Sequence, residues 1–462
     1  MAHASLLNVE GRAVDESSIA SFRPGFRGRL LSSADEGYDP SRKVWNAMID
    51  KHPGLIAKCA GAADVIRAVN FARENSLLLA VRGGGHNVAG KAVCDGGLVI
   101  DLSEMKSIRV DPIVGTARAE PGVLLGELDQ ETQAFGLATT LGIVSKTGIG
   151  GLTLGGGIGW LNGRYGLACD NMISADVVTA DGSFLRASSS ENPDLYWALR
   201  GGGGNFGIVT SFEYKVHPVS TVLGGMVLYE MSKAREILRF YDDFSRECPD
   251  ELTTVAGLLT APDGNPVVAI VVCYSGDLEE GEKVIKPLRT FDSPIADLVK
   301  PIRYTEMQRL FDEGFKPGFR NYWKANFLRR AMTEEAIDTF VENVSKRPSP
   351  MTVVALQQMH GAASRIGPTE TAFAHRYGQY DMVILTVWPD PADDDKNVSW
   401  TRGLWQAMQP FVERGVYVNN LGEEGEDRVR DAYGPNYERL VSLKKKYDPT
   451  NLLRTNQNIR PA

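Results

Sequence analysis

The chain has no apolar run that approaches the roughly 18 residues that a transmembrane helix needs. It also has little excess charge: 50 lysine and arginine residues stand against 58 aspartate and glutamate residues, for a formal net charge of -8. A nucleic-acid-binding protein needs a concentrated basic surface. We therefore expect neither a membrane-spanning protein nor a nucleic-acid partner.

Cysteine and metal-binding patterns are scarce as well. The five cysteines are widely spaced without a CxxC pair, and the six histidines show no HxH or HExxH spacing. These patterns predict free thiols and no metal site. The first residues, MAHASLLNVEGRAVDES, lack the basic and apolar regions of an export signal. The absence of disulfide patterns and of an export signal together predicts a cytoplasmic protein.

Glycine, in contrast, is abundant, with 48 residues among 462, against a usual share of about 7%. It is concentrated in three clusters: RGGGHN at 82–87, GIGGLTLGGGIG at 148–159 and GGGGNFG at 201–207. The first cluster follows the apolar run LLLAV, which predicts a strand. The second is too rich in glycine for a helix or a strand interior, so we expect a loop whose backbone contacts a ligand.

The third cluster satisfies the dinucleotide pattern GxGxxG through Gly202, Gly204 and Gly207, which alone would suggest a nicotinamide dehydrogenase. That fingerprint requires a strand before it and a helix after it, so that the helix N-terminus meets the pyrophosphate. Here the helical segment NPDLYWALR comes first and the strand-like IVTSFEYKV follows. We therefore reject the Rossmann interpretation.

The first cluster carries more information. Three consecutive glycines after a strand let several backbone N–H groups converge on one anion, although they can also form a tight turn. Together with the second cluster they favour a long cofactor with a diphosphate. His86 ends the first cluster and could be a base, a metal ligand or an attachment point for an electrophilic cofactor.

After His217-Pro218, strand patterns alternate with amphipathic helices at 234–244, 334–344 and 400–412. The strand patterns are GGMVLYEM, PVVAIVVCY, MTVVALQQM and DMVILTVW. This alternation predicts a second α+β domain with one sheet face covered by helices. The last segment, from VYVNN onwards, reads as strand, helix and tail, and is expected to return to the first domain.

Several of these segments together resemble the FAD-linked oxidases of the vanillyl-alcohol oxidase superfamily, specifically the berberine-bridge-enzyme-like group. They are VRGGGHNVAGKAVCDGGLVIDLSEM, TGIGGLTLGGGIGWLNGRYGLACDN, DLYWALRGGGGNFGIVTSFEY, YVNN and YDPTNLLRTNQNI. The resemblance implies FAD and an α+β fold. A two-lobed PCMH-type FAD-binding domain would span 1–218, with its core at about 50–218, completed by 415–462. A substrate-binding domain at 219–414 would roof the isoalloxazine with an antiparallel sheet, covered by helices on its other face.

The resemblance also implies the FAD contacts. His86 stands where the family bonds its flavin through the 8α-methyl carbon, and Val144 replaces the cysteine of a second bond, so a single covalent link is expected, as in the 6-hydroxynicotine oxidase branch. Thr147 stands where valine accompanies oxygen reactivity in relatives, which favours an oxidase. The expected cofactor-binding residues are His86, Arg82, Gly83, Gly84, Gly85, Asn87, Thr147, Gly148, Gly151, Leu152, Thr153, Ile158, Gly207, Ile208, Asn456 and Asn458.

The catalytic residues are less well defined, because the family's YxNY motif reads Tyr417-Val418-Asn419-Asn420 here and lacks the second tyrosine, which assists deprotonation in sugar and alcohol oxidases. The candidates are Tyr417, Asn419, Tyr322 and the pair Gln358 and His360, which share one face of a strand. Tyr417 could equally pack in the core, and the strand residues could be hydrogen-bonded sheet positions.

The expected function is an oxidase that takes a hydride from a C–H next to oxygen or nitrogen of a small organic molecule and releases hydrogen peroxide. The substrate would be an alcohol, an amine or N-heterocycle, or a secondary metabolite. The alternatives are an oligosaccharide oxidase of the same family and a flavin-loaded protein that binds a ligand with little turnover. The expected partners are a small-molecule substrate and molecular oxygen, and homodimer formation stays open.

Overall fold

Three β-sheets organise the chain, and each draws its strands from one continuous stretch of the sequence. The computed structural model describes residues 5–329 and 331–462. Within these ranges the sheets have four, five and eight strands in chain order, and a two-stranded ribbon lies beside the second. This arrangement confirms the predicted α+β class. No helix among the described residues combines the length and the apolar character that crossing a bilayer demands.

The first sheet has four short strands and three accompanying helices. The strands are β1 (Arg29–Leu31), β2 (Leu55–Lys58), β3 (Leu79–Arg82) and β4 (Leu98–Asp101), and the helices are α1 (Glu16–Phe22), α2 (Tyr38–Arg42) and α3 (Ala62–Glu74). The sheet order is β1-β2-β4-β3, with β4 parallel to both β2 and β3. Helix α3 buries Val65, Ala68, Val69 and Ala72, which recur at helical spacing along one face.

The second sheet is antiparallel, in the order β5-β6-β10-β8-β9. The strands of the sheet and ribbon are β5 (Ile108–Asp111), β6 (Thr116–Ala119), β7 (Leu137–Ala138), β8 (Met172–Val178), β9 (Phe184–Ser188), β10 (Ile208–Lys215) and β11 (His217–Pro218). The helices are α4 (Leu125–Gln133), α5 (Ile149–Leu154), α6 (Asn162–Tyr165) and α7 (Pro193–Leu199). Helix α7 precedes the third glycine cluster and β10 follows it, which confirms the rejection of the Rossmann interpretation.

The third sheet is antiparallel, and its eight strands all fall within 219–414. They are β12 (Thr221–Glu230), β13 (Leu252–Thr260), β14 (Pro266–Tyr274), β15 (Ala296–Asp297), β16 (Lys300–Arg303), β17 (Arg320–Arg329), β18 (Val353–Met359) and β19 (Gln379–Trp388). The order is β15-β12-β14-β13-β18-β19-β17, and β16 also pairs with β12. The helices are α8 (Ala234–Arg246), α9 (Leu278–Thr290), α10 (Tyr304–Gln308), α11 (Glu334–Val344), α12 (Ala362–Arg365) and α13 (Asp394–Met408).

The two faces of the third sheet have different neighbours. One face packs beneath α8, α9, α11 and α13, and buries Leu356, Met382 and Ile384 among their side chains. The residues between them along the strands, such as Val383 and Leu385, face the opposite way and join the core shared with the second sheet. Because side chains alternate across a strand, this register decides which residues meet the rest of the molecule.

The tail of the chain, with α14 (Glu426–Tyr433) and α15 (Tyr437–Tyr447), returns to the second sheet. Asn205, in the third glycine cluster, donates through its side chain to the carbonyl of Gln457, 3.1 Å away, and accepts from the N–H of Ile459. The buried Lys444 ammonium donates to the Asn205 carbonyl and pairs with the buried Asp448 carboxylate. These contacts anchor the tail beside β10.

Two secondary-structure predictions are wrong. The segment 148–159 is not only loop, because α5 forms there and buries Ile149, Thr153 and Leu154, and such tertiary packing outweighs the helix cost of glycine. The segment VYVNN is not a strand, because Val418–Asn420 forms a turn of 3-10 helix. There the Asn419 side chain donates to the Leu152 carbonyl, so a side chain holds the segment where a strand ladder was expected.

Candidate functional site

The floor of the site lies where two glycine segments touch through their backbones. Gly83 to Gly85 follow β3, and Gly148 precedes α5. A Cβ atom added to Gly84 would lie 2.6 Å from the nitrogen of Gly148, and one added to Gly148 would lie 2.5 Å from the nitrogen of Gly84. Gly85 has a φ of +66°, in the left-handed region. Only glycine allows this approach.

One cavity runs along these segments and reaches the third sheet and the tail. Thirteen of the 16 residues expected to contact FAD line it: His86, Gly83, Gly84, Gly85, Asn87, Thr147, Gly148, Gly151, Leu152, Ile158, Gly207, Ile208 and Asn456. The glycine clusters, distant in the sequence, therefore form one wall.

The other three expected cofactor-binding residues, Arg82, Thr153 and Asn458, do not line this cavity. The Arg82 guanidinium, at the end of β3, donates to the Ser41 carbonyl instead. The Thr153 hydroxyl is buried on the other side of α5, 2.8 Å from the Tyr214 hydroxyl. Asn458 lies beyond the part of the tail that reaches the lining. A glycine-rich motif identifies the segment, but not which side of it faces the ligand.

His86 stands at the end of the first glycine segment, on the cavity wall. Burial lowers the pKa of its imidazole to about 4, so the ring is neutral at neutral pH. Its Nε2 atom is buried and has no hydrogen-bond partner in the described chain. The ring stacks on Trp45, with centroids 4.4 Å apart and planes 15° apart. A neutral, stacked imidazole at a cavity wall can serve as a nucleophile.

The lining carries almost no charge. Among its described residues only Lys91 has a charged side chain, and its Nζ lies 3.1 Å from the carboxylate of Glu423. The anion-binding capacity of this wall therefore resides mainly in backbone N–H groups, as in a phosphate nest. On the tail side, the buried Thr455 hydroxyl, which has no partner in the described chain, adds a donor, and the Asn456 side-chain oxygen adds an acceptor. This donor set fits a cofactor with a diphosphate.

Tyr417 and Asn419, two of the predicted catalytic residues, both line the cavity. The Tyr417 hydroxyl accepts hydrogen bonds from the Gly157 N–H, at 2.9 Å, and from the Asn419 side-chain amide, at 2.7 Å. Burial raises the pKa of this phenol well above its usual range. Tyr417 therefore stays protonated and can donate a hydrogen bond, whereas it is poorly suited to accept a proton as a base.

The roof of the cavity comes from β17, β18 and β19 through Trp323, Gln357, Val383 and Leu385. Gln358, predicted to be catalytic, lies on the opposite, helix-covered face. Its side-chain oxygen accepts from the Thr254 N–H and hydroxyl, and its amide donates to the Ser245 carbonyl. The β18 residue that lines the cavity is Gln357, one position before Gln358.

His360 and Tyr322, the other two predicted catalytic residues at the third sheet, do not line the cavity either. His360 packs against Gly163, where an added Cβ would lie 2.4 Å from the imidazole Nε2. The Tyr322 hydroxyl accepts from the Arg402 guanidinium of α13, 3.0 Å away, on the outer face of β17. Both residues support the sheet, and Gln357 and Trp323 take the positions at the cavity.

Asp381, the third residue of β19, is a buried acid that the sequence analysis missed. Its Oδ2 accepts from the side-chain amide of Asn420, 2.6 Å away, and its buried Oδ1 has no partner in the described chain. Burial raises the pKa of this carboxyl to about 7, against the opposing effect of the Asn420 hydrogen bond. Asn420 lines the cavity and Asp381 lies behind it. The available signal was an acid at the start of an otherwise apolar strand pattern.

Comparisons with known proteins agree on one family. An FAD binding domain model matches residues 53–188, and a berberine and berberine-like model matches residues 416–460. An FAD-linked oxidoreductase of Dictyostelium discoideum is 33% identical over 449 residues, covering 96% of this chain and 97% of that protein. The (R)-6-hydroxynicotine oxidase of Paenarthrobacter nicotinovorans is 33% identical over 450 residues, covering 94% and 97%.

Solved structures show the same architecture. The 6-hydroxy-D-nicotine oxidase of Arthrobacter nicotinovorans has a TM-score of 0.87 at 32% identity, over 95% of this chain and 98% of that chain. A chitooligosaccharide oxidase has a TM-score of 0.86 at 24% identity, over 96% and 100%. At that identity the second likeness establishes the fold alone.

The raised pKa of Asp381 predicts a specific pH dependence of stability. The folded carboxyl holds its proton up to about pH 7, whereas the unfolded one releases it near 3.8. The buried carboxyl therefore costs wild-type stability nothing below about pH 4, and stability falls progressively as the pH rises to about 7. Asp381→Asn should gain on the order of 2 to 4 kcal/mol relative to wild type between pH 4 and pH 8. Denaturant unfolding across this range measures the difference.

Asp395→Asn, which changes an exposed carboxylate of α13, is the matched control and should show no comparable trend. A constant difference between Asp381→Asn and wild type over the whole range would contradict the burial of a protonated carboxyl at this position.

Proposed function

The chain belongs to the FAD-linked oxidoreductases with a berberine-bridge-like C-terminal segment, and on this premise we propose that it is an oxidase of small organic molecules. It takes a hydride from a C–H next to oxygen or nitrogen and passes the electrons to molecular oxygen, which leaves as hydrogen peroxide. The observation that carries the proposal is the single cavity that joins the glycine floor and His86 to an apolar roof.

The residues of this cavity suit FAD. Backbone groups of the two touching glycine segments would hold the diphosphate, and Asn456 of the tail would add a polar contact. When bound, FAD supplies the hydride acceptor, N5 of its ring system. The chain itself binds the substrate, orients the reacting C–H and excludes water.

The roof points to the substrate class. Trp323, Val383 and Leu385 offer mostly apolar surface. The polar groups that the described strands of this roof bring to the lining residues are the Gln357 side-chain amide and the buried Trp323 indole N–H. The Gln357 amide donates to the Ile158 carbonyl, 3.3 Å away, which leaves its oxygen available as an acceptor. An oligosaccharide would lose many hydrogen bonds with water at such a wall, whereas a neutral alcohol, amine or N-heterocycle would lose few.

The neutral His86 supports a covalent link to FAD through the 8α-methyl carbon, because a deprotonated ring nitrogen is the form that can bond to carbon. A second link is not expected, since Val144, which also lines the cavity, cannot form a thioether. The proposed cofactor state is therefore FAD held by one covalent bond to this chain.

We expect the yellow flavin to stay with acid-precipitated wild-type protein and to leave acid-precipitated His86→Ala, because the variant lacks the bonding nitrogen. Absorbance of the dissolved pellet and the mass of the peptide that contains residue 86 measure the bond. His217→Ala is the matched control: that imidazole is also shielded enough that burial lowers its pKa to about 4, but it stacks on Tyr165, away from the cavity. An unmodified wild-type peptide from flavin-loaded protein would disprove the link.

Thr147 supports the use of oxygen, because it lies on the cavity wall and is close to valine in shape. Thr147→Leu should lower the rate of oxygen uptake at saturating substrate by about tenfold, since the longer side chain fills the space through which oxygen arrives. Thr147→Val keeps the shape and should stay within about twofold of wild type. Equal oxygen uptake by the leucine variant and wild type would remove Thr147 from the oxygen path.

The decisive test of the function is an anaerobic screen of alcohols, amines, N-heterocycles and glycosides for bleaching of the flavin absorbance, followed by air. We expect a neutral, mostly apolar compound to bleach the flavin, and one equivalent of hydrogen peroxide to appear per turnover in air. Bleaching without peroxide would identify a dehydrogenase. Binding without bleaching would favour a ligand-binding protein, and bleaching by glycosides alone would favour an oligosaccharide oxidase.

A further inference from the structure

Trp45 lies directly behind His86 and is tied to both sides of the cavity. Its backbone N–H donates to the Gly85 carbonyl, 3.0 Å away, so it is attached to the first glycine segment. Its indole N–H donates to the Phe315 carbonyl, 2.7 Å away, so it is also attached to the chain that leads into β17. Trp45 itself is not part of the cavity lining, whereas His86 and Phe315 are.

Asn46, the next residue, also links the segment after the first glycine cluster to β17. The Asn46 side-chain amide donates to the carbonyls of Val88 and Asn321, each at 2.9 Å. Its oxygen accepts from the Asn321 N–H at 3.0 Å. Asn46 is buried, and the Ala47 N–H adds a hydrogen bond to the Phe319 carbonyl. The segment 45–47 is thus fixed by backbone hydrogen bonds from both the glycine loop and the start of β17.

The indole is therefore a fixed plane against which the imidazole rests. The two rings are 15° from parallel, and rotation of the imidazole about its ring-bearing bond would push it into the indole. The Trp323 ring packs edge-on against the Trp45 ring, with the two centroids 5.4 Å apart. Aromatic contacts of this kind restrict orientation as well as burying area.

We propose that Trp45 is a positioning residue for cofactor attachment: it holds the plane of His86 so that a ring nitrogen meets the 8α-methyl carbon of FAD. This inference rests on the proposed covalent link. Bond formation breaks one imidazole N–H and one methyl C–H and joins nitrogen to carbon. The two electrons and two protons released are taken up by molecular oxygen, the oxidant of the proposed function, as hydrogen peroxide. Orientation matters because a misplaced reacting group can cost about a hundredfold in rate.

The test separates binding of FAD from bond formation. Flavin-free protein from a riboflavin-starved host is mixed with FAD, and two quantities are measured: the dissociation constant before attachment and the first-order rate at which acid-stable flavin appears. Trp45→Met keeps much of the volume but loses the flat ring, and should bind FAD within about threefold of wild type while attaching it about tenfold more slowly or worse. Trp45→Phe keeps a flat ring and should attach FAD within about threefold of the wild-type rate.

Trp400→Leu is the matched control, because the Trp400 indole also donates to one backbone carbonyl, that of Asn343. Trp400 lies on α13, in the helix layer that covers the outer face of the third sheet. Trp400→Leu should leave the attachment rate unchanged. A wild-type attachment rate in Trp45→Met overturns the inference. If Trp45→Met does not fold, Trp45→Phe decides, since a loss beyond threefold with unchanged FAD binding shows that the stacked ring is not what orients His86. Absence of acid-stable flavin in wild type would instead refute the covalent link itself.

Discussion

The contact between Gly84 and Gly148 is the constraint on which the rest of the site depends. It joins the end of the first sheet to the start of α5 with no side chain between them. Because the two backbones touch, His86 and Thr147 arrive at the same cavity although 61 residues separate them in the chain. A methyl group at either glycine would force the first and second sheets apart, and the backbone groups that suit a diphosphate would no longer face one space.

The third sheet supplies the complementary wall, and its register determines the chemistry of that wall. Gln357 faces the cavity and Gln358 bonds to Thr254 and Ser245 under the helices, so a slip of one residue would exchange the two. The helices α8, α9, α11 and α13 bury the apolar residues of the outer face and thereby hold the register. The cavity side of the sheet is thus specified by packing of its other face against helices that contribute none of the described lining residues.

The glycine wall depends on local sequence patterns and the roof depends on strand register, and this difference explains what could be predicted from the sequence. The glycine clusters and the strands of the third sheet carry local patterns, so the family, the fold class and most of the glycine wall could be predicted. The phase of a strand has no local signal when both faces are buried, and for this reason the sequence does not distinguish Gln358 from Gln357, the residue that lines the cavity. Asp381 escaped because the consequence of a buried acid depends on a partner, Asn420, that lies 39 residues away.

The polar groups around the cavity share one property: each keeps charge out of the substrate region. Burial holds His86 neutral and Tyr417 protonated, and it delays the ionisation of Asp381 to about pH 7. Lys91, the one charged side chain among the described residues of the lining, is paired with Glu423. In such surroundings an ionised substrate would lose its hydration without gaining a counter-charge, so amines would have to enter as free bases and alcohols as neutral hydroxyls. For the proposed oxidase, the same lack of charge would favour hydride removal, because a fixed cation beside the reacting carbon would oppose the positive charge that develops there.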